Sequence, residues 1–285
     1  MLVAVTGSKG FIGSAVVREL ERREHKVTHI DRSVGVDVLG ARLEEVLKEA
    51  DAVIHLAGIL GTEELFDDPE LAIDINVKGT ARVLRTCSRY NLSYVGITMP
   101  SVWDNVYQAT KRAALDLARS YHRHFAVPVS HVRAFNVYGP GQKVGTPQKI
   151  IPTFATKAWA GEPIPIWGSG DQTVDLIYVD DVARMLVDAM GYEDDETFDA
   201  GTGVPATVSM VSAYVRTFSG SHSKEEFLSM RKGEHAADVW ARGEGWNKLS
   251  WRPKFDMKKL QQTVMWYRPQ ASRDTMSDMV TTDGR

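Results

Sequence analysis

The chain has 285 residues, of which 43% are hydrophobic and 25% charged, and its formal net charge is −3. This length suits two modest domains or one large one with a packed core. Without a concentrated basic segment it is not a nucleic-acid binder, and no run of about 18 apolar residues exists to cross a membrane. The single cysteine, Cys87, excludes an internal disulfide framework and fits a reducing compartment. The first apolar stretch, Leu2 to Val5, runs into a glycine loop and is too short for a signal peptide. A soluble, cytoplasmic protein is the expectation.

In chain order, Leu2–Thr6, Lys26–Ile30, Ala52–Leu56, Tyr94–Thr98 and Val129–Ala134 read as strands. Each is short, apolar and β-branched, as a strand covered on both faces should be. Helical periodicity lies between them, near Phe11–Arg23, Arg42–Lys48, Glu70–Tyr90 and Tyr107–Phe125. This alternation predicts an α/β fold, a doubly wound parallel sheet with helices on both faces. After Asn136 proline and glycine become frequent. Helical stretches follow at Gln148–Ala160, Asp181–Met190, Val208–Phe218 and Met257–Trp266. The expected division is a dinucleotide-binding domain over 1–145, with a return segment over about 174–200. A smaller mixed α/β substrate domain takes 146–173 and 201–268, and 269–285 forms a polar tail.

Thr6-Gly7-Ser8-Lys9-Gly10-Phe11-Ile12-Gly13 stands between the first strand and the first helix. Gly7 permits a tight turn, Gly10 lets the backbone approach a pyrophosphate, and Gly13 lets the helix pack on the sheet. The helix N-terminus offers free N–H groups to phosphate. Asp31 ends the second strand, where a carboxylate can accept from the adenosine ribose and repel a 2′-phosphate, which favours NAD. Its neighbour Arg32 is the residue that an NADP reading would use.

Tyr107 and Lys111 are four apart at the start of a helix and share one face. A phenol of pKa about 10 must fall by roughly three units to act as a base near neutrality, and a fixed ammonium beside it acts in that direction.

Together these residues resemble the extended short-chain dehydrogenase/reductase family, in particular NAD-dependent nucleotide-sugar epimerases and dehydratases. The resemblance runs from about Leu2 to Trp266. It implies a Rossmann domain holding NAD at Gly7, Gly10, Phe11, Ile12, Gly13, Asp31 and Arg32. Asp37 and Val38 are implied at the adenine, Leu56, Ala57 and Gly58 in a turn along the cofactor, and Asn76 on the following helix. Thr98, Tyr107 and Lys111 complete the cofactor set, the last two being catalytic. Asn136, in Arg133-Ala134-Phe135-Asn136-Val137-Tyr138-Gly139-Pro140, is implied to contact a substrate diphosphate. Arg231 is implied to grip it and Glu234 to meet the nucleoside ribose. No metal is implied. By the same analogy the chain pairs as a homodimer through its helices Glu70–Tyr90 and Tyr107–Phe125. The apolar stripe Leu115, Ala118, Tyr121 and His122 serves either that contact or the core.

Three departures qualify the resemblance. Met99 stands where the family has a Ser or Thr that shares the substrate proton, and a thioether cannot donate one. Thr98 or Ser101 can supply the hydroxyl, and the sequence does not choose between them. The connection from Met99 to Tyr107 is short, so the cavity is either more open or closed by the second domain. Val174 replaces a second-domain arginine, which leaves Lys143 or Lys149 as stand-ins. The leading expectation is an epimerase acting on a nucleotide-linked sugar through a transient ketone. The alternatives are an NAD(P)-dependent reductase or dehydrogenase of a sugar or other carbonyl, and a non-catalytic NAD-binding protein. A 4,6-dehydratase is disfavoured because Pro100 and Ser101 replace its Asp-Glu pair.

Overall fold

The computed structural model describes residues 1–268, so the tail expected over 269–285 lies outside the described residues. The elements follow as β1 (Leu2–Thr6), α1 (Phe11–Arg22), β2 (Lys26–Ile30), α2 (Leu43–Leu47), β3 (Ala52–His55), α3 (Pro69–Ala72), α4 (Gly79–Tyr90), β4 (Ser93–Thr98) and α5 (Val106–Phe125). Then come β5 (Val129–Ala134), β6 (Asn136–Tyr138), α6 (Ile150–Ala160), β7 (Ile164–Trp167), β8 (Thr173–Tyr178) and α7 (Val179–Asp188). The last are β9 (Asp194–Ala200), β10 (Pro205–Thr207), α8 (Val208–Ser219), β11 (Glu225–Leu228) and α9 (Met257–Trp266).

Six parallel strands form the main sheet in the order β2-β1-β3-β4-β5-β9. The order reverses between β1 and β3, the switch point at which doubly wound sheets bind ligands. Alternation along the strands sends side chains to two cores. Val3, Val5, Ile54, Val95 and Val132 pack under α1 and α7. Ala4, Val53, Tyr94 and Val129 pack under α2, α4 and α5. Ala118 and Tyr121 of α5 join this second core, so that part of the apolar stripe faces inward.

A third core gathers α6, α8 and α9 around Tyr138, Ile164 and Ile166. Beside it lie a three-stranded sheet, β10-β8-β6, and a parallel pair, β11-β7. The segment read as returning to the main sheet does so through β9 alone, because β8 pairs with β6 and β10. No helix among the described residues is long and apolar enough to cross a membrane.

Candidate active site

The glycine turn leaves the C-terminal end of β1 at the switch point. Gly7 has φ 69°, and a Cβ there would lie 2.9 Å from the Ala57 nitrogen. A Cβ on Gly13 would lie 2.0 Å from the Gly7 carbonyl oxygen, so helix and turn can approach this closely only with glycine. Helix α1 starts after Gly10 without a side-chain cap, which leaves its first-turn N–H groups for an anion.

Asp31 follows β2 and turns its carboxylate onto the same loop. It accepts from the Ser33 amide at 3.0 Å, the Ser33 hydroxyl at 2.8 Å and the Lys9 amide at 3.1 Å. Burial pushes its pKa up, but these hydrogen bonds and the Arg32 charge outweigh burial and hold it below the usual value. Three of roughly four lone-pair sites are in use, which leaves capacity for one ribose hydroxyl.

Behind the turn a buried chain of hydrogen bonds ties β1 to β3 and α4. The Thr80 hydroxyl donates to the Asn76 carbonyl at 2.7 Å, so it accepts from His55 Nε2 at 3.0 Å. His55 Nδ1 therefore accepts from the Thr6 hydroxyl at 2.7 Å, and Thr6 Oγ1 accepts the Leu56 and Ala57 amides at 3.0 Å. Burial drives the His55 pKa down to about 3, which fixes this neutral tautomer.

Asn76 sits in a π-helical turn, Ile73–Lys78, between α3 and α4. Its Oδ1 accepts from Ile59 N at 2.9 Å, and its Nδ2 donates to Ile59 O and Thr110 Oγ1 at 3.1 Å. One side chain thus pins the strand exit after Gly58 to the helix that carries Tyr107.

Asn105 caps α5 by accepting the Gln108 amide at 2.9 Å. Tyr107 and Lys111 stand in its first turns and both line the cleft. Burial lowers the Lys111 ammonium to about 8 and raises the Tyr107 phenol above its ordinary value. The protein's side chains therefore do not make Tyr107 a base by themselves. A positive charge brought beside the phenol would act against that shift.

The cleft has a volume of about 700 Å³ and runs from the glycine turn past Tyr107 to the second half of the chain. Gly7, Gly10, Phe11, Ile12, Gly13, Asp31, Arg32, Asp37, Val38, Leu56, Ala57, Gly58, Asn76, Thr98, Tyr107, Lys111, Asn136, Arg231 and Glu234 all line it. Ser101 does not. It is exposed, and its hydroxyl accepts from Gln108 Nε2 at 2.8 Å, although its neighbours Pro100 and Val102 line the cavity. Thr98 and Met99 both border the cavity, and Thr98 shares with Tyr94 the sheet face that meets α5.

The short connection is closed by the second half of the chain. Trp103 Nε1 donates to His235 O at 3.0 Å, and Asn105 Nδ2 donates to Gly233 O at 3.1 Å. At this end Arg231 and Glu234 hold each other through two hydrogen bonds of 3.1 and 2.5 Å. The expected diphosphate grip is thus occupied by the chain's own carboxylate. Lys149 also lines the cleft, whereas Lys143 is exposed and outside it. Burial, and then the Arg231 charge, lower the Lys149 pKa, so two cations face one space despite Val174. The sequence reading missed Trp167, whose ring lies 5.1 Å from the Arg231 guanidinium carbon in the same wall. It also missed Gln108, whose Oε1 accepts the Val102 and Trp103 amides. A single side chain on a helix gives no spacing pattern that would have marked either. Among the described residues no cluster of His, Cys, Asp or Glu is placed to hold a metal.

A cradle that only glycine permits, a carboxylate beside it and a Tyr-Lys helix at the switch point define a dinucleotide-dependent enzyme of the short-chain dehydrogenase/reductase type. The chain belongs to the NAD dependent epimerase/dehydratase family, whose sequence profile matches residues 3–201. It is 28% identical to a UDP-glucuronate 4-epimerase of Thermodesulfobacterium geofontis, over 92% of this chain and 94% of the relative. It is 26% identical to a UDP-glucose 4-epimerase of Mycolicibacterium smegmatis, over 94% of this chain and 99% of the relative. The fold matches a UDP-glucuronic acid 4-epimerase from Bacillus cereus, solved with UDP-glucuronic acid and NAD. That match has a TM-score of 0.86 at 24% identity and covers 95% of this chain and 100% of the other. NAD is the cofactor that this cradle fits.

Proposed function

We propose that the protein is an NAD-dependent epimerase of a nucleotide-linked sugar. One observation carries the reading: a single cleft joins the glycine cradle, the Tyr107–Lys111 pair and the cationic end formed by Lys149 and Arg231. Residues 1–145 with 174–200 serve the cofactor, and 146–173 with 201–268 serve the substrate. Gly7, Gly10 and Gly13 admit the pyrophosphate, Asp31 holds the adenosine ribose and Lys111 holds the nicotinamide ribose. NAD bound here would supply a reversible hydride acceptor, and epimerisation requires the transient ketone to turn its opposite face to the nicotinamide before the hydride comes back. Tyr107 Oη takes the proton of the sugar hydroxyl as the hydride leaves and gives it back on reduction, so cofactor and enzyme end unchanged. Thr98 supplies the hydroxyl that Met99 lacks. Asn136, Arg231 and Lys149 hold the diphosphate, and Glu234 turns to the nucleoside ribose once Arg231 leaves it.

Incubation with NAD and a panel of UDP-sugars, followed by NMR of the sugar ring, tests this. Tyr107→Phe should lower kcat by at least about 10²-fold and leave NAD affinity within a few-fold by calorimetry. A fully active phenylalanine variant would refute the role. Met99 keeps two further readings open, an NAD(P)-linked reductase and a protein that binds NAD without turnover. Net accumulation of oxidised or reduced cofactor marks the reductase, and tight NAD binding without product marks the non-catalytic protein. The lone, buried Cys87 supports a reducing, cytoplasmic location. By analogy with the family the chain pairs as a homodimer along α4 and α5, and sedimentation equilibrium at twice the monomer mass would establish it.

A further inference from the structure

Three residues lie side by side across the main sheet, on the face covered by α4 and α5. His55 pairs in register with Gly96, and Gly96 with His131. Gly96, between the two histidines, leaves space that a side chain would fill. A Cβ there would come within 2.9 Å of Tyr94 Cε1 and 3.0 Å of His131 Cδ2. The result is a chamber of about 10 Å³ beneath Lys111, bordered by Tyr94, Thr98 and both histidines. That is roughly the room one water molecule requires.

The two histidines differ in what they have left to offer. Both nitrogens of His55 are engaged by threonines. His131 is 2% exposed, and among the described residues neither of its ring nitrogens has a hydrogen-bond partner. Its Nδ1 faces the carboxylate of Asp195 at 3.5 Å. Asp195 is delivered there by a bulge in β9: the register passes from Asp194 to Glu196, and Asp195 takes φ 55°. Bulges of this kind re-aim a side chain, and a non-glycine residue at positive φ is uncommon. A carboxylate beside Nδ1 keeps the proton on that nitrogen, so Nε2 keeps its lone pair.

We propose that His131, held in this tautomer by Asp195, is a positioning residue for Lys111, with Nε2 receiving the ammonium through the small chamber. The proposal rests on the assignment of Lys111 to the active site, but its test uses no substrate. The groups facing Lys111 are Tyr107 on its own helix, His55 from β3, Tyr94 from β4 and His131 from β5. Arg119 of α5 joins Asp195 at 3.1 Å behind His131, and Cys87 of α4 lies near Tyr94. Burial keeps both histidines neutral across the neutral range, so the ammonium meets an acceptor rather than a second cation.

The experiment follows the Lys111 side chain by NMR of protein carrying ¹⁵Nζ-lysine, with Lys111→Met assigning the signal. The native titration should centre near pH 8. His131→Leu should move the midpoint down by about one pH unit or more, because the cationic form loses its acceptor. His131→Gln, which restores an acceptor, should recover most of that shift. Asp195→Asn suits the left-handed backbone and should shift the midpoint in the same direction by less. It decides the matter if the leucine variant does not fold. A midpoint unmoved in the leucine variant, or unmoved in the asparagine variant when leucine cannot be read, overturns the proposal. The proposed epimerase activity can fail while this result stands, and the reverse is equally possible.

Discussion

Burial acts in opposite directions on the two members of the Tyr107–Lys111 pair. It penalises the phenolate, the form a base needs, and it penalises the ammonium, the form that would help make one. The lysine effect is also a stability effect. The ordinary lysine value is 10.5 and the folded value is about 8. Between those values the unfolded chain holds the proton and the folded chain does not, so stability rises with pH across the window. Below about pH 8 the folded protein carries a buried charge worth roughly 3 kcal/mol of lost stability. Lys111→Met should therefore abolish turnover yet raise the urea-unfolding free energy at pH 7 by up to about 3 kcal/mol. That gain should close between pH 8 and about 10.5, and equal stability of the two proteins at pH 7 would refute the account. That Tyr107, Lys111 and the three glycines meet in one cleft was legible in the sequence because short, local spacing sets their placement. Thr98 and Ser101 are separable only in three dimensions, where Thr98 lines the cleft and Ser101 is turned to Gln108. The Arg231–Glu234 ion pair was not legible at all, since a spacing of three is equally common with both groups turned to solvent.

The helical run from Pro69 to Tyr90 contains a π-helical turn where regular α-helix was expected. Hydrophobic periodicity survives one widened turn, which is why the sequence reads as a single helix. The widening occurs at Asn76, whose side chain reaches both Ile59 and Thr110. Single π-turns of this kind gather at functional sites. The His55 chain that borders this turn has a pH dependence of its own. His55 must be neutral to accept from Thr6, and its folded pKa lies near 3 against an ordinary 6.5. Its contribution is complete above pH 6.5 and is lost as the pH falls toward 3. The unfolding free energy should therefore decline by up to about 1.4 kcal/mol per pH unit from this residue. His131 adds to the same slope. Urea titrations at pH 7 and pH 5 should show the drop, and His55→Gln should flatten it. None of the strands after β5 was read individually from the sequence, and β6, β10 and β11 span only three or four residues and lack an apolar run.

At the scale of the molecule, the cleft is held together by two buried carboxylates that the sequence did not reveal as special. Asp175 accepts the amides of Thr202, Gly203 and Ala241 and the Thr202 hydroxyl. Asp199 accepts the amides of Arg242, Gly243 and Glu244, and Arg133 Nε donates to it at 2.7 Å. They lie on β8 and β9, so both sheets fasten the stretch that follows the cleft wall at 231–239. Asp199→Ala would leave Arg133 with Glu244 as its remaining carboxylate and deprive three part-buried amides of their acceptor. It should lower the unfolding free energy by roughly 1–3 kcal/mol in urea titrations, and an unchanged stability would count against this seam. The alternation of strands and helices made the layered architecture readable, but contacts between segments 27 to 66 residues apart leave no local pattern. The embrace of Arg231 by Glu234 also makes the mouth of the enzyme selective toward ordinary solutes. A stray phosphate or sulfate must evict a neighbour that already satisfies the guanidinium, with nothing else to gain. A molecule long enough to touch several walls at once can offset that eviction, so the entrance tells a whole ligand from a fragment of one.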